Sequence, residues 1–178
     1  TFGEQPGTEG GVSSLAYYDH GTGPLLYIGG AFITAGASDA RFVARWNGHS
    51  WEKLGVGVTG EVTAMTVFND GTGPALYVGG NFSSAGGGPA ANIAKWNGTS
   101  WSLLGAGTNG RILALRAHDD GTGSALYVGG EFTTAGGLPS PHVAKWNGAQ
   151  WSPLGTGTND DVSAFEALLP TVIRRRRT

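Results

Sequence analysis

The sequence predicts an all-β chain: three four-stranded antiparallel repeats of 50 residues, plus one extra strand. Three observations carry this expectation. Gly29-Gly30 recurs as Gly79-Gly80 and Gly129-Gly130. Trp46 and Trp51 recur as Trp96 and Trp101, then as Trp146 and Trp151, with no insertion or deletion in the 50-residue step. A fixed period of this size marks a repeat architecture. Finally, no stretch holds an i, i+3, i+4, i+7 apolar stripe over about 11 residues, and Gly interrupts every candidate, so essentially no helix is expected.

Taken in order, residues 1–10 are polar and Gly-rich and read as a lead-in loop. Each repeat then offers four short strands, a to d, bounded by turn residues. Strand a is Val12–Tyr18, Val62–Phe68 and Ile112–His118, with a fourth copy at Val162–Ala167. Its nearly unbroken run of small apolar residues predicts a strand buried on both faces. The turns after it, Asp19 to Gly23, Asn69 to Gly73 and Asp119 to Gly123, contain Asp-Gly in two of three copies. Asp-Gly is a hairpin signal because both positions tolerate positive φ. Strand b is Leu25–Ile28, Ala75–Val78 and Ala125–Val128, closed by the Gly pair. A longer b–c loop follows, with a repeated Phe (Phe32, Phe82, Phe132) and a repeated Ala-Gly. Strand c is Phe42–Trp46, Asn92–Trp96 and His142–Trp146, ending at Asn-Gly each time. Strand d starts at Trp51, Trp101 or Trp151, so Trp-Asn-Gly-x-x-Trp reads as a hairpin with aromatic residues on both arms.

Four antiparallel strands per repeat of this length describe a β-propeller blade. Leu-Tyr-Val-Gly-Gly, a Trp-containing strand and Trp-x-x-Leu resemble the kelch-type propeller repeat. The denser pattern, Gly-Gly-x-Phe-x-x-Ala-Gly with Ala-x-Trp-Asn-Gly-x-x-Trp-x-x-Leu-Gly, is similar to repeats of bacterial extracellular proteins and of fungal cortical polarity markers. The likeness covers residues 11–167 and departs from kelch at Trp46, Trp96 and Trp146, where Tyr is usual. It divides the chain into a lead-in (1–10), three blades (11–55, 56–105, 106–155), the first strand of a further blade (156–167) and a basic tail (168–178). Three blades are fewer than the roughly four to eight of a closed ring. Two accounts stay open: truncation of a longer array, and two chains closing a six-bladed ring. Propeller geometry puts strand a innermost, strand d outermost, and the b–c and d–a loops on one rim.

Composition narrows the function. Gly, at 33 of 178 residues, far exceeds the roughly 7% of average proteins, and charged residues make up 13% against about 25%. Net charge is −2, but the run Arg174–Arg177 masks a repeat body near −6, a sign that disfavours nucleic acid. There is no cysteine, hence no disulfide, thiolate nucleophile or Cys-based zinc site. No apolar run approaches the ~18 residues of a spanning helix. The chain begins at Thr1 without Met or leader, which suits a mature form or an excised piece.

Each chemical motif has a competing structural use. The Asp/Asn-Asp-Gly-Thr-Gly turns cluster oxygens, yet each offers only one or two acid or amide side chains, short of the about six to eight ligands of Ca²⁺, so capped hairpins are expected. The Trp pairs could stack sugars. Their presence in every copy favours a role in joining blades. His20, His49, His118 and His142 fall at different phases and share no metal spacing. No Gly-x-Ser-x-Gly, phosphate loop or marked carboxylate pair is present. Asn81-Phe82-Ser83 and Asn97-Gly98-Thr99 fit the glycosylation acceptor pattern, which matters only in a secretory pathway. The Arg run reads as a solvated tail.

The expectation is a non-catalytic interaction module without cofactor or metal, part of a larger secreted or cell-surface protein. It would bind a protein or a glycan through rim loops, with self-association as a further partner. Asp39, Asn81 and Glu131, in the variable b–c loops, are the candidate binding residues. A purely structural repeat and the remnant of a propeller enzyme are the alternatives.

Overall fold

The computed structural model describes residues 7–166. Strands recur in steps of 50 residues: β1 (Val12–Asp19), β2 (Pro24–Gly30), β3 (Thr34–Ala35), β4 (Ser38–Asp39), β5 (Val43–Trp46) and β6 (Trp51–Lys53). The second set is β7 (Val62–Asn69), β8 (Pro74–Gly80), β9 (Ser84–Ala85), β10 (Gly88–Pro89), β11 (Ile93–Trp96) and β12 (Trp101–Leu103). The third is β13 (Ile112–Asp119), β14 (Ser124–Gly130), β15 (Thr134–Ala135), β16 (Leu138–Pro139), β17 (Val143–Trp146) and β18 (Trp151–Pro153). Among the described residues there is no helix. Three four-stranded antiparallel sheets result: β1-β2-β5-β6 (sheet I), β8 between β7 and β11 with β12 outside (sheet II), and β13-β14-β17-β18 (sheet III). Each carries a separate two-stranded hairpin in its b–c loop, β3-β4, β9-β10 or β15-β16. These units are blade-like, and β7 runs beside both β1 and β13.

Local chemistry explains the hairpins. Trp46 pairs with Trp51, Trp96 with Trp101 and Trp146 with Trp151, with ring centroids 5.2–5.5 Å apart. In each connecting loop the Asn47, Asn97 or Asn147 carboxamide oxygen accepts two backbone N–H groups two and three residues on, at 2.8–3.0 Å. This is the Asx turn that Asn favours. In the a–b turns, Asp19, Asn69 and Asp119 likewise accept from two Gly N–H groups.

The core lies between sheets. One cluster joins Tyr27, Val43 and Leu54 of the first repeat to Val62, Leu76, Val78 and Trp96 of the second. Another joins Tyr77, Ile93 and Leu104 to Ile112, Leu126, Trp146 and Trp151. The Gly doublet makes this stacking feasible. A Cβ at Gly79 would lie 2.7 Å from Ile112 Cγ2 of the next sheet, and one at Gly29 would collide with Val62. The second glycine, Gly30, Gly80 or Gly130, abuts the backbone of strand a in its own sheet. Side chains are excluded at both positions by close approach.

Five sequence expectations need correction. The strand buried on both faces is b, not a: β8 and β14 are buried from their second residue on. Strand b is central in its sheet and sandwiched between sheets, whereas a is an edge strand, and β1 exposes Leu15 and Tyr17. Strand b is longer than expected, starting one residue earlier and taking in the Gly pair as its last two residues. Strand c starts one residue late, because Phe42, Asn92 and His142 adopt φ of 63–70°, outside the strand region. The b–c loops contain short strands of their own. Last, residues 161–166 form no strand, having no ladder partner among the described residues. Residue 167, the basic tail and residues 1–6 of the lead-in fall outside the described residues. Residues 7–10 already follow the repeat: Thr8 bridges Ala35 as Val58 bridges Ala85 and Thr108 bridges Ala135.

Candidate functional site

The b–c loops are anchored from below. Phe32, Phe82 and Phe132 are buried, and their carbonyls accept from the left-handed residues Phe42, Asn92 and His142 at 2.8–2.9 Å. In the second and third repeats the loop is then fastened to the d–a loop of the preceding repeat, and in the first to Gly7 and Glu9. Asn109 Oδ1 accepts from Thr133 N and Thr134 N at 2.9 and 2.8 Å, and its Nδ2 donates to Thr133 Oγ1 at 2.9 Å. Thr59 Oγ1 accepts from Ser84 N at 3.0 Å, and Gly86 N donates to Gly57 O at 2.9 Å. The two loop sets therefore share one edge of the stack, tied by backbone hydrogen bonds.

Two grooves open along this edge. One, about 480 Å³, is lined by Ile33, Arg41, Phe42, Val56, Val58 and Ser84. Ile33 and Val56 leave it apolar and exposed, at 59% and 60% of their surfaces. The other, about 430 Å³, is lined by Thr59, Asn81, Ser83, Pro89 and Asn92. Of the three residues singled out from sequence, Asn81 faces the second groove. Asp39 forms an exposed ion pair with Arg41 at 3.2 Å, at the border of the first. Glu131 is exposed at the phase of Asn81, in the third repeat. Arg41 and the paired Ile33 and Val56 are groove residues that sequence reasoning missed. Their apolar exposure is a property of the gap between repeats and has no local signal.

The titratable groups inside the sheets serve the scaffold. Asp70, nearly buried, accepts from Lys95 Nζ at 2.6 Å and Tyr77 Oη at 2.8 Å, while its other oxygen takes Thr72. Burial alone would raise its pKa, but the bonds from Lys95, Thr72 and Tyr77 outweigh this and hold it well below the usual carboxylate range. Burial and the adjacent carboxylate push the Tyr77 hydroxyl far up. The third repeat repeats this network around Asp120, more exposed, with Thr122, Tyr127 and Lys145. Tyr127 is pushed up to about 12 by burial and by Asp120.

The first repeat departs. His20 replaces the acid, Arg45 replaces Lys, and Glu52 stands where the others have Ser102 and Ser152. Arg45 donates to Glu52 at 2.8 Å and lies 3.1 Å from His20 Nε2. Tyr27 Oη is left buried without a hydrogen-bond partner. The tryptophans also join repeats: Trp101 and Trp96 stand over Gly55 of the first repeat, Trp151 and Trp146 over Gly105 of the second, and Trp96, Trp146 and Trp151 are buried. Among the described residues, no group of three or more His, Asp or Glu converges as a metal site, and no helix is long and apolar enough to cross a membrane. No protein-family model, no curated protein and no solved structure matches this chain.

Proposed function

We propose that the chain is a segment of a kelch-like β-propeller, three blades of 50 residues, acting as a non-catalytic module that binds a protein or glycan at its loop edge. One observation carries this reading: the polar groups shared by the second and third repeats are consumed inside the scaffold, while residues that differ between them project from the fastened loops. Asp70, Lys95 and Tyr77 satisfy one another. Asn81 and Glu131, by contrast, have exposed side chains at one phase of the repeat. Variable polar groups on a rigid frame are the usual arrangement of a recognition surface. Apolar Ile33 and Val56 beside Arg41 in one groove, with Asn81 in the neighbouring groove, suit a ligand with both characters. A secreted or cell-surface setting fits the sparse charge and the Gly-, Ser- and Thr-rich composition.

The test is binding of the labelled chain to glycan and extracellular-protein arrays, alongside Asn81→Ala and Ile33→Asp variants. Specific binding weakened by at least one variant supports the reading. Uniform absence of binding, with the fold intact by circular dichroism, leaves the purely structural repeat as the better account.

A further inference from the structure

The two internal sheet boundaries are built alike. Val62 and Met65 of β7 fill the space above Gly29 of β2. Ile112 and Leu115 of β13 fill the space above Gly79 of β8, with Leu115 Cδ1 3.2 Å from where a Cβ would stand. In each case an edge strand supplies a plug, and a glycine in the neighbouring strand b supplies a seat. Sheet III has the same seat at Gly129, and residues 161–166 occupy it. Val162 Cγ1 lies 2.6 Å from a Gly129 Cβ, Phe165 meets Tyr127 edge-on at 6.4 Å, and Asp161 reaches His142 Nδ1 at 2.9 Å. Val162 and Phe165 stand at the phases of Val62 and Met65. Yet among the described residues this segment has no ladder partner, and it forms no strand.

At the other end of the stack, β1 carries the same plug with nothing to fill. Val12, Leu15 and Tyr17 are 44%, 63% and 71% exposed. Met65, the counterpart of Leu15, is 8% exposed. An apolar strand left open beside copies that are covered is a docking surface whose complement is already in the chain.

We propose that the open face of β1 seats on Gly129 of a second copy of this chain, head to tail, displacing that copy's residues 161–166. The incoming β1 is already paired with β2, so it brings its order with it. Among the described residues the resident segment is held by side chains alone and has no ladder to lose. Such an interface is heterologous, with different surfaces meeting on the two copies.

Solution mass by light scattering, followed over a concentration series, reads this directly. The full chain is expected to associate as concentration rises. Phe165→Asp, which loosens the resident segment, should shift association to about tenfold lower concentration. Leu15→Asp, which spoils the plug, and Gly129→Val, which fills the seat, should each stay monomeric with unchanged circular dichroism. Mixing those two variants is the decisive arm. One retains a seat and the other a plug, so a heterodimer forms on mixing if the contact is head to tail. Association that persists in Gly129→Val, or a mixture that stays monomeric while the full chain associates, overturns the proposal. So does a full chain and a Phe165→Asp variant that both remain monomeric throughout, since the face then belongs to some other occupant.

Discussion

Trp101 Nε1 donates to the backbone carbonyl of Leu54 at 2.8 Å, across the boundary between the first and second repeats. Trp151 does the same to Leu104 at 2.7 Å. Each carbonyl also accepts a backbone N–H, from Gly57 at 3.0 Å and from Gly107 at 3.1 Å, so the indole supplies its second hydrogen bond. Trp101→Phe keeps most of the ring's packing and removes the donor. It should cost about 0.5–1.5 kcal/mol, the net worth of one hydrogen bond to a carbonyl that keeps its backbone donor. Urea denaturation would measure it, and Trp151→Phe should behave alike. A loss near zero in both would mean the indole acts by packing alone.

Asp70 and Asp120 occupy equivalent positions in unequal surroundings. Asp70 is 7% exposed in its side chain and Asp120 36%. Asp70→Asn leaves Lys95 without its buried counter-charge and should cost about 3 kcal/mol. Asp120→Asn should cost clearly less, because water can reach Lys145. Equal losses from the two substitutions would show that burial does not set the strength of these networks.

The same groups set the pH limits of stability. Asp70 has a depressed folded pKa, so its contribution is present above the unfolded value near 3.9 and is lost as pH falls below it. Tyr127 has a raised folded pKa of about 12, so its contribution is present below the unfolded value near 10 and is lost as pH rises through about 12. Thermal midpoints should therefore fall at both extremes. Tyrosinate absorbance should show Tyr127 ionising at lower pH in Asp120→Asn. Burial, the larger cause, should still keep it above the ordinary value. An unchanged titration in that variant would separate the tyrosine from the acid.

The first repeat offers a gain. His20→Asp, Arg45→Lys and Glu52→Ser together install the arrangement of the other two repeats and give Tyr27 Oη an acceptor. The triple variant should be more stable by about 1–2 kcal/mol, since one buried orphan hydroxyl is satisfied. Glu52→Ser alone should destabilise, because Arg45 then keeps only His20. A triple variant no more stable than the parent chain would mean that the Tyr27 hydroxyl costs nothing as it stands.

What the sequence by itself determined is the local and periodic part of the molecule. Asn47-Gly48 and its copies dictate a hairpin because the Asn side chain caps its own loop, and that hairpin sets Trp46 against Trp51. The 50-residue phase of Gly29-Gly30 and the Trp pairs delimits the repeats. The coupled exchange of Asp70, Lys95 and Ser102 for His20, Arg45 and Glu52 was also readable, because three copies in one chain align themselves. Only the tertiary structure decided which surfaces are buried. Asp70 meets Lys95 across 25 residues, and Leu54 meets Trp101 across 47. Val12 and Val62 are the same residue at the same phase, yet one is open and the other sealed. Val162 repeats them again and forms no strand. The difference lies in the neighbouring sheet: a strand needs a ladder partner, and an apolar side chain needs a seat. Neither is encoded within the segment that requires it.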